Sequence, residues 1–119
     1  MTGASRLEDR ALQFLGLIRR AGKLVTGTEA TRQAVRDGEA HLVVLALDAA
    51  PGQLEKVRGI LRHRAIPEAV WATRTDLGRA VGQPPLSALA ITNEIMARQL
   101  QARLAEGLPP SGSELPRGR

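Results

Sequence analysis

Apolar positions recur at helical spacing at the start of the chain and in short runs further on. Leu7, Ala11, Phe14, Leu15 and Ile18 fall three or four apart, the stripe of an amphipathic helix over Leu7 to Arg20. Ala21-Gly22 stops that helix, and Lys23-Leu24-Val25-Thr26 reads as a short extended segment. Thr26-Gly27-Thr28-Glu29 has capping-box spacing, with Thr26 as N-cap and Glu29 reaching back. It predicts a second helix that runs to about Asp37, stops at Gly38 and turns Ala34 and Val35 inward. His41 to Leu47 is a continuous apolar run with β-branched residues, the pattern of a strand covered on both faces. Asp48 to Pro51 is a turn, with Pro51 at the first position of a third helix. Leu54, Val57, Ile60 and Leu61 make its apolar stripe, and Lys56, Arg58, Arg62 and Arg64 lie mostly off it.

The alternation continues to the end of the chain. Ile66-Pro67 enters a strand near Ala69 to Thr73, and Thr73 with Asp76 opens a short helix to about Val81, closed by Gly82. Gln83-Pro84-Pro85 resists both helix and ladder and reads as a loop. Leu86 to Thr92 is another apolar strand. Asn93 caps a last helix to about Leu104, with Met96, Leu100 and Leu104 on one face. Helix and strand therefore alternate throughout, which predicts an α/β fold with helices on both faces of one sheet. Residues 1–5 are expected to be a flexible N-terminus, 6–106 a single domain, and 107–119, rich in Gly, Pro and Ser, a disordered tail.

Composition narrows the function. The 119 residues suffice for one core but not two. The net charge of +5 favours an anionic partner, nucleic acid before membrane. Aromatic residues are only 2% of the chain, Phe14 and Trp71, so base stacking on exposed rings is nearly excluded. Cysteine is absent, which removes disulfides, thiolate metal sites and cysteine nucleophiles. The longest apolar run is too short for a bilayer, and the polar start MTGASRLEDR is no secretory signal, so a cytoplasmic location is expected.

No catalytic constellation emerges. Gly16 to Lys23 has five residues between its glycines rather than four, and Leu24 where a phosphate loop places Ser or Thr. His41 and His63 lack partners at metal-ligand spacing; His41 is expected at a strand start and His63 on a solvated helix face. Asp48 follows the central strand but has no nucleophile or second carboxylate beside it, and a turn-capping role is expected. What remains is a basic turn, Arg19, Arg20 and Lys23, just ahead of Gly27 at a helix start, the combination expected to meet phosphates.

Four segments carry a family resemblance: Leu15 to Gly27, LGLIRRAGKLVTG; Ala34 to Gly38 with Leu42 to Asp48; Ile66-Pro67; and Thr73 to Gly82, TRTDLGRAVG. In order and spacing they resemble the L7Ae/L30e superfamily of RNA-binding proteins, and within it the small bacterial YlxQ-like members. The resemblance spans about residues 7 to 104. It implies a three-layer α-β-α sandwich, L30e-like, with a mixed four-stranded sheet. It also implies binding to kink-turn RNA, a sharply bent internal loop with tandem sheared G·A pairs.

In that family the helix opening at the position of Gly27 enters the widened groove, its first turn usually reading G-x-N-E-x-x-K. Here the segment is Gly27-Thr28-Glu29-Ala30-Thr31-Arg32-Gln33. Only Gly27 matches outright; Glu29 stands in place of Asn, Ala30 of Glu and Gln33 of Lys. Glu29 is usual among the YlxQ-like members and can accept from a guanine amino group. A lost charged contact costs ~1–3 kcal/mol. The resemblance further places Lys23, with Arg20 beside it, ahead of the recognition helix and Arg74 at a position that is basic in several members. It matches the loop Gly82, Gln83, Pro84, Pro85, Leu86, Ser87 to a loop that packs on the RNA stem, and puts Ala50 in place of an acidic residue.

The expectation is a non-enzymatic RNA-binding protein for kink-turn or ribosomal RNA, working with ribosomal or other ribonucleoprotein components in translation. No cofactor, metal, membrane or small-molecule substrate is expected. Its RNA contacts would come from Arg20, Lys23, Gly27, Thr28, Glu29, Arg32, Gln33, Arg74, Gly82, Gln83, Leu86 and Ser87. The alternatives are a protein-interaction module of the same fold and an accessory subunit of an RNA-modifying enzyme.

Overall fold

The computed structural model describes residues 3–106, with side chains from Asp9 onward. The expected tail, 107–119, lies outside the described residues. Five helices alternate with four strands: α1 Gly3–Arg20, β1 Leu24–Thr26, α2 Thr28–Arg36, β2 Leu42–Leu45, α3 Pro51–Leu61, β3 Glu68–Val70, α4 Arg74–Ala80, β4 Ala88–Ile91 and α5 Glu94–Glu106. The sheet order is β1-β4-β2-β3. β4 is antiparallel to both neighbours, β1 and β2, while β2 and β3 are parallel. The sheet is therefore mixed, as expected.

Strand pleating sorts the side chains into two cores. Leu42, Val44, Leu89 and Ile91 face α1, α4 and α5, where they pack with Leu15, Ile18, Leu77 and Leu100. Val43, Leu45, Ala88 and Ala90 face α2 and α3, against Val35, Val57 and Leu61. The two alanines of β4 leave room for α2 to lie close to the sheet. The result is a three-layer sandwich, with α1, α4 and α5 on one face and α2 and α3 on the other.

Several local expectations are corrected. α1 begins at Gly3, ahead of the start at Leu7 expected from the apolar stripe. The strand predicted over His41 to Leu47 ends at Leu45, and Leu47 is exposed. After Leu45 the chain turns away: the Ala46 N–H bonds to the Ser87 carbonyl and the Leu47 N–H to the Ala72 carbonyl, which leaves the Leu47 side chain in solvent. α3 ends at Leu61, so His63 is exposed in the turn beyond it rather than on the helix. Among the described residues no cluster of His, Cys, Asp and Glu could hold a metal, and no helix is long and apolar enough to cross a membrane.

Candidate nucleic-acid interface

The topology brings three helix starts to one edge. Because β1, β2 and β3 all run antiparallel to β4 or parallel to one another, their carboxyl ends lie together. The next helices, α2, α3 and α4, all start from that edge, and the loop entering β4 arrives there too. Open α/β sheets commonly bind ligands beyond the carboxyl ends of their strands.

The start of α2 depends on Gly27. Its φ of 101° and ψ of 157° lie in a region essentially closed to residues with a Cβ. The Gly27 N–H bonds to the Ala88 carbonyl, ending the β1–β4 ladder, and its carbonyl accepts the first helical bond from Thr31. The predicted capping box does not form. Thr26 is still in β1, Gly27 occupies the N-cap, and no side chain caps the helix. Glu29 is paired with Arg32 at 3.1 Å instead. The N–H groups of Thr28, Glu29 and Ala30 are consequently left without a protein partner among the described residues. Together they form the positive, donor-rich end of a helix.

Further along α2 the exposed polar side chains engage one another. The Gln33 amide nitrogen donates to Asp37 at 2.9 Å, and the Arg36 guanidinium donates to the Gln33 amide oxygen at 3.1 Å. Exposed helix pairs of this kind contribute only ~0.2–0.5 kcal/mol each, so an incoming ligand displaces them at little cost. Arg32 is partly buried, with its Nε enclosed and unpaired.

Asp48 fastens two of the converging loops together. It accepts the Arg74 backbone N–H at 2.8 Å, and the Arg74 Nε lies 3.5 Å from its other oxygen. The backbone hydrogen bond from Arg74, with smaller help from Asp48's own backbone N–H and from the Arg74 guanidinium charge, holds the Asp48 carboxyl below the ordinary carboxylate value. Asp48 thus caps a neighbouring helix rather than its own turn, where the capping role is expected from the sequence. Thr73 caps the same helix by accepting the Asp76 N–H at 3.1 Å.

The loop from Gly82 to Ser87 folds back over α4. The Gln83 N–H bonds to the Gly78 carbonyl and the Leu86 N–H to the Arg74 carbonyl. Leu86 is buried in the core, so this residue anchors the loop and is not the exposed contact expected of it. Gln83 is exposed and Ser87 half-buried.

The edge therefore gathers Gly27, Thr28, Glu29, Arg32, Gln33, Arg74 and Ser87, and the rest of the loop back to Gly82 leads away from it. It does not gather Lys23 and Arg20. Lys23 stands at the opposite end of β1, its carbonyl accepting from the Thr92 N–H, about 13 Å along the strand from Gly27. Three intervening residues look short along the sequence, but extended backbone makes the two positions distant. Leu47, exposed at the same edge, was missed because it closes an apolar run. Gly78, which lets the loop lie on α4, was also missed; its one signal was a glycine inside a helix.

A four-stranded mixed sheet between two helical layers, with an uncapped helix start and a folded-back loop at one edge, defines a class of small α-β-α binding domain. Residues 9–101 match the model of the ribosomal protein L7Ae/L30e/S12e/Gadd45 family, and the chain belongs to that family. It is 31% identical over 87 residues to the RNA-binding protein YlxQ of Bacillus subtilis, covering 73% of this chain and 87% of that protein. It is 31% identical over 76 residues to the RNA-binding protein YlxQ of Enterococcus faecium, covering 64% and 74%. Among solved structures, a protein of unknown function from Bacillus halodurans superposes with a TM-score of 0.75 at 33% identity, over 80% of this chain and 96% of the other. The Giardia lamblia 15.5kD RNA binding protein superposes with a TM-score of 0.68 at 18% identity, over 87% and 91%, a likeness of fold.

Proposed function

We propose that this chain is a non-enzymatic RNA-binding protein that recognises a kink-turn or related bent RNA, in ribosomal RNA or another ribonucleoprotein, at the carboxyl edge of its sheet. The observation that carries this reading is the open start of α2. Three free N–H groups and a glycine without a Cβ present a surface that phosphate can approach closely. Glu29 is an acceptor for a guanine amino group, and Gln33 both donates and accepts. Exposed Leu47 offers apolar surface to a base drawn out of its stack. Both aromatic side chains are packed into or against the core, so recognition rests on shape and backbone contact rather than on ring stacking. The family membership and the YlxQ relatives, which are RNA-binding proteins, support RNA as the partner.

The test is a titration with a kink-turn RNA and with the same RNA lacking its sheared G·A pairs, each at two salt concentrations. Tighter binding of the intact RNA at both salts is expected. Equal affinities with steep salt dependence would mean electrostatic attraction alone and would overturn the reading. The mutual pairing of Glu29, Arg32, Gln33, Arg36 and Asp37 favours a second reading, a protein-interaction surface on α2. RNA-independent co-purification with a single protein would select it.

A further inference from the structure

Cations are distributed unevenly around the proposed RNA edge. On the α2 side they are already engaged: Arg32 with Glu29, Arg36 with Gln33, and Arg74 with Asp48. On the α1–α4 side they are not. Arg19 and Arg20 close α1, Lys23 follows them, and Arg79 lies in the last turn of α4. All four are exposed, and among the described residues none forms an ion pair.

The fold brings these residues together. α1 packs against α4 where Gly16 meets Ala80, so closely that a Cβ on Gly16 would lie 3.1 Å from the Ala80 carbonyl oxygen. The Arg19 guanidinium carbon lies 3.6 Å from where a Gly82 Cβ would stand, so Arg19 covers the start of the Gly82–Ser87 loop. That loop then runs back along α4, about 10 Å, to the edge. A groove of about 450 Å³ lies between the two helices, lined by Asp9 and Arg20 of α1 and by Asp76 and Arg79 of α4. Within the groove the two carboxylates offset the two guanidiniums; Arg19 and Lys23 supply the excess positive charge.

We infer that Arg19, Arg20, Lys23 and Arg79 form a phosphate-binding strip on the α1–α4 side, which takes the backbone of the RNA stem leaving the edge past the Gly82–Ser87 loop. This rests on the RNA reading above and divides the work of binding. The α2 edge discriminates between RNAs, and the strip supplies much of the salt-dependent affinity. Phosphate contacts position a nucleic acid without reading it, and each one lost lowers the dependence of log affinity on log salt by roughly 0.7–0.9. Arginines in the last turn of a helix also complement the helix dipole, but that role changes stability and leaves the salt slope untouched.

The test compares the wild-type chain with Arg19→Gln/Arg20→Gln/Arg79→Gln, using the intact kink-turn RNA and its G·A-less partner across a potassium chloride series. The triple variant should show a salt slope shallower by about 2–3, with the ratio of affinities for the two RNAs preserved. If the triple variant melts early, the exposed single variants Arg20→Gln and Arg79→Gln should each lower the slope by about 1. Lys56→Gln, on α3 in the other helical layer, should leave it unchanged. An unchanged slope in the strip variants overturns the proposal, as does an equal fall in Lys56→Gln. Failure of the RNA reading itself shows separately, as a wild-type chain that does not distinguish the two RNAs.

Discussion

Alanine at two helical glycines should change stability in opposite directions. Gly59 lies in α3 and Gly78 in α4, and intrinsic propensity favours alanine within a helix by ~0.5–1 kcal/mol. At Gly59 an added Cβ would meet nothing nearer than 3.6 Å, the movable ends of Glu55 and Arg62. Gly59→Ala should therefore be neutral or stabilise slightly. At Gly78 the same Cβ would lie 2.2 Å from the Pro84 carbonyl oxygen and 2.7 Å from that of Gln83. Comfortable contact requires about 3.5 Å, so the loop backbone would have to retreat by roughly 1 Å. The loop is held there by the 2.8 Å bond from Gln83 to Gly78 and the 3.1 Å bond from Leu86 to Arg74. Overpacking costs ~1–3 kcal/mol and a weakened hydrogen bond ~1 more, less the propensity gain. A net loss of ~1–3 kcal/mol follows, a fall in Tm of roughly 5–20 °C for a domain of this size. Urea and thermal unfolding give the stability, and amide exchange at Gln83 and Leu86 shows whether the loop has lifted. A Gly78→Ala chain as stable as the wild type, with both amides still protected, would refute the close packing of loop on helix.

Other outcomes follow from the same edge. Gly27→Ala forces a Cβ into a glycine-only conformation and should cost ~1–3 kcal/mol in urea unfolding. It should also weaken RNA binding beyond what the lost stability explains, which titration at a temperature well below the melt would reveal. Asp48 gives a pH dependence of known sign. Its folded pKa lies below the ordinary 3.8, so its ionised form contributes stability above that pH and loses it as pH falls through the folded value. Asp48→Asn should therefore be less stable than wild type at pH 6, with the gap closing towards pH 2.5; a gap independent of pH would remove the carboxylate from the account. Leu77→Ala, at a fully buried position between α4 and the sheet, should cost ~2–5 kcal/mol by the same measurement.

Local patterns were enough for the order of elements. The 3.6-residue stripe of α1, the apolar runs at β2 and β4, and the caps at Thr73 and Asn93 are all short-range features, and the structure contains each of them. The order and spacing of four segments were enough for the family, because a family is a pattern along the chain. Sequence also singled out Gly27, since a glycine between an extended segment and a helix has few other uses. It misassigned the cap there because Thr26 and Glu29 have the right spacing whether or not Thr26 belongs to a strand. Only pairing with β4 put Thr26 in the ladder and moved the N-cap to Gly27.

Membership of the site was decided by tertiary structure. Lys23 and Gly27 are four residues apart in sequence and lie at opposite ends of a strand, whereas Gly27 and Ala88 are 61 positions apart in number and share one hydrogen bond. Arg19 reaches Gly82 because α1 packs on α4, and Arg74 is held by Asp48 because two loops end at the same sheet edge. The elements, the two-sided sheet and the glycine that opens α2 are legible along the chain, because the pattern of each is set within a few residues. Which cations remain free for phosphate, and which side of the edge they occupy, depends on strand order and helix packing, long-range contacts that no local spacing encodes.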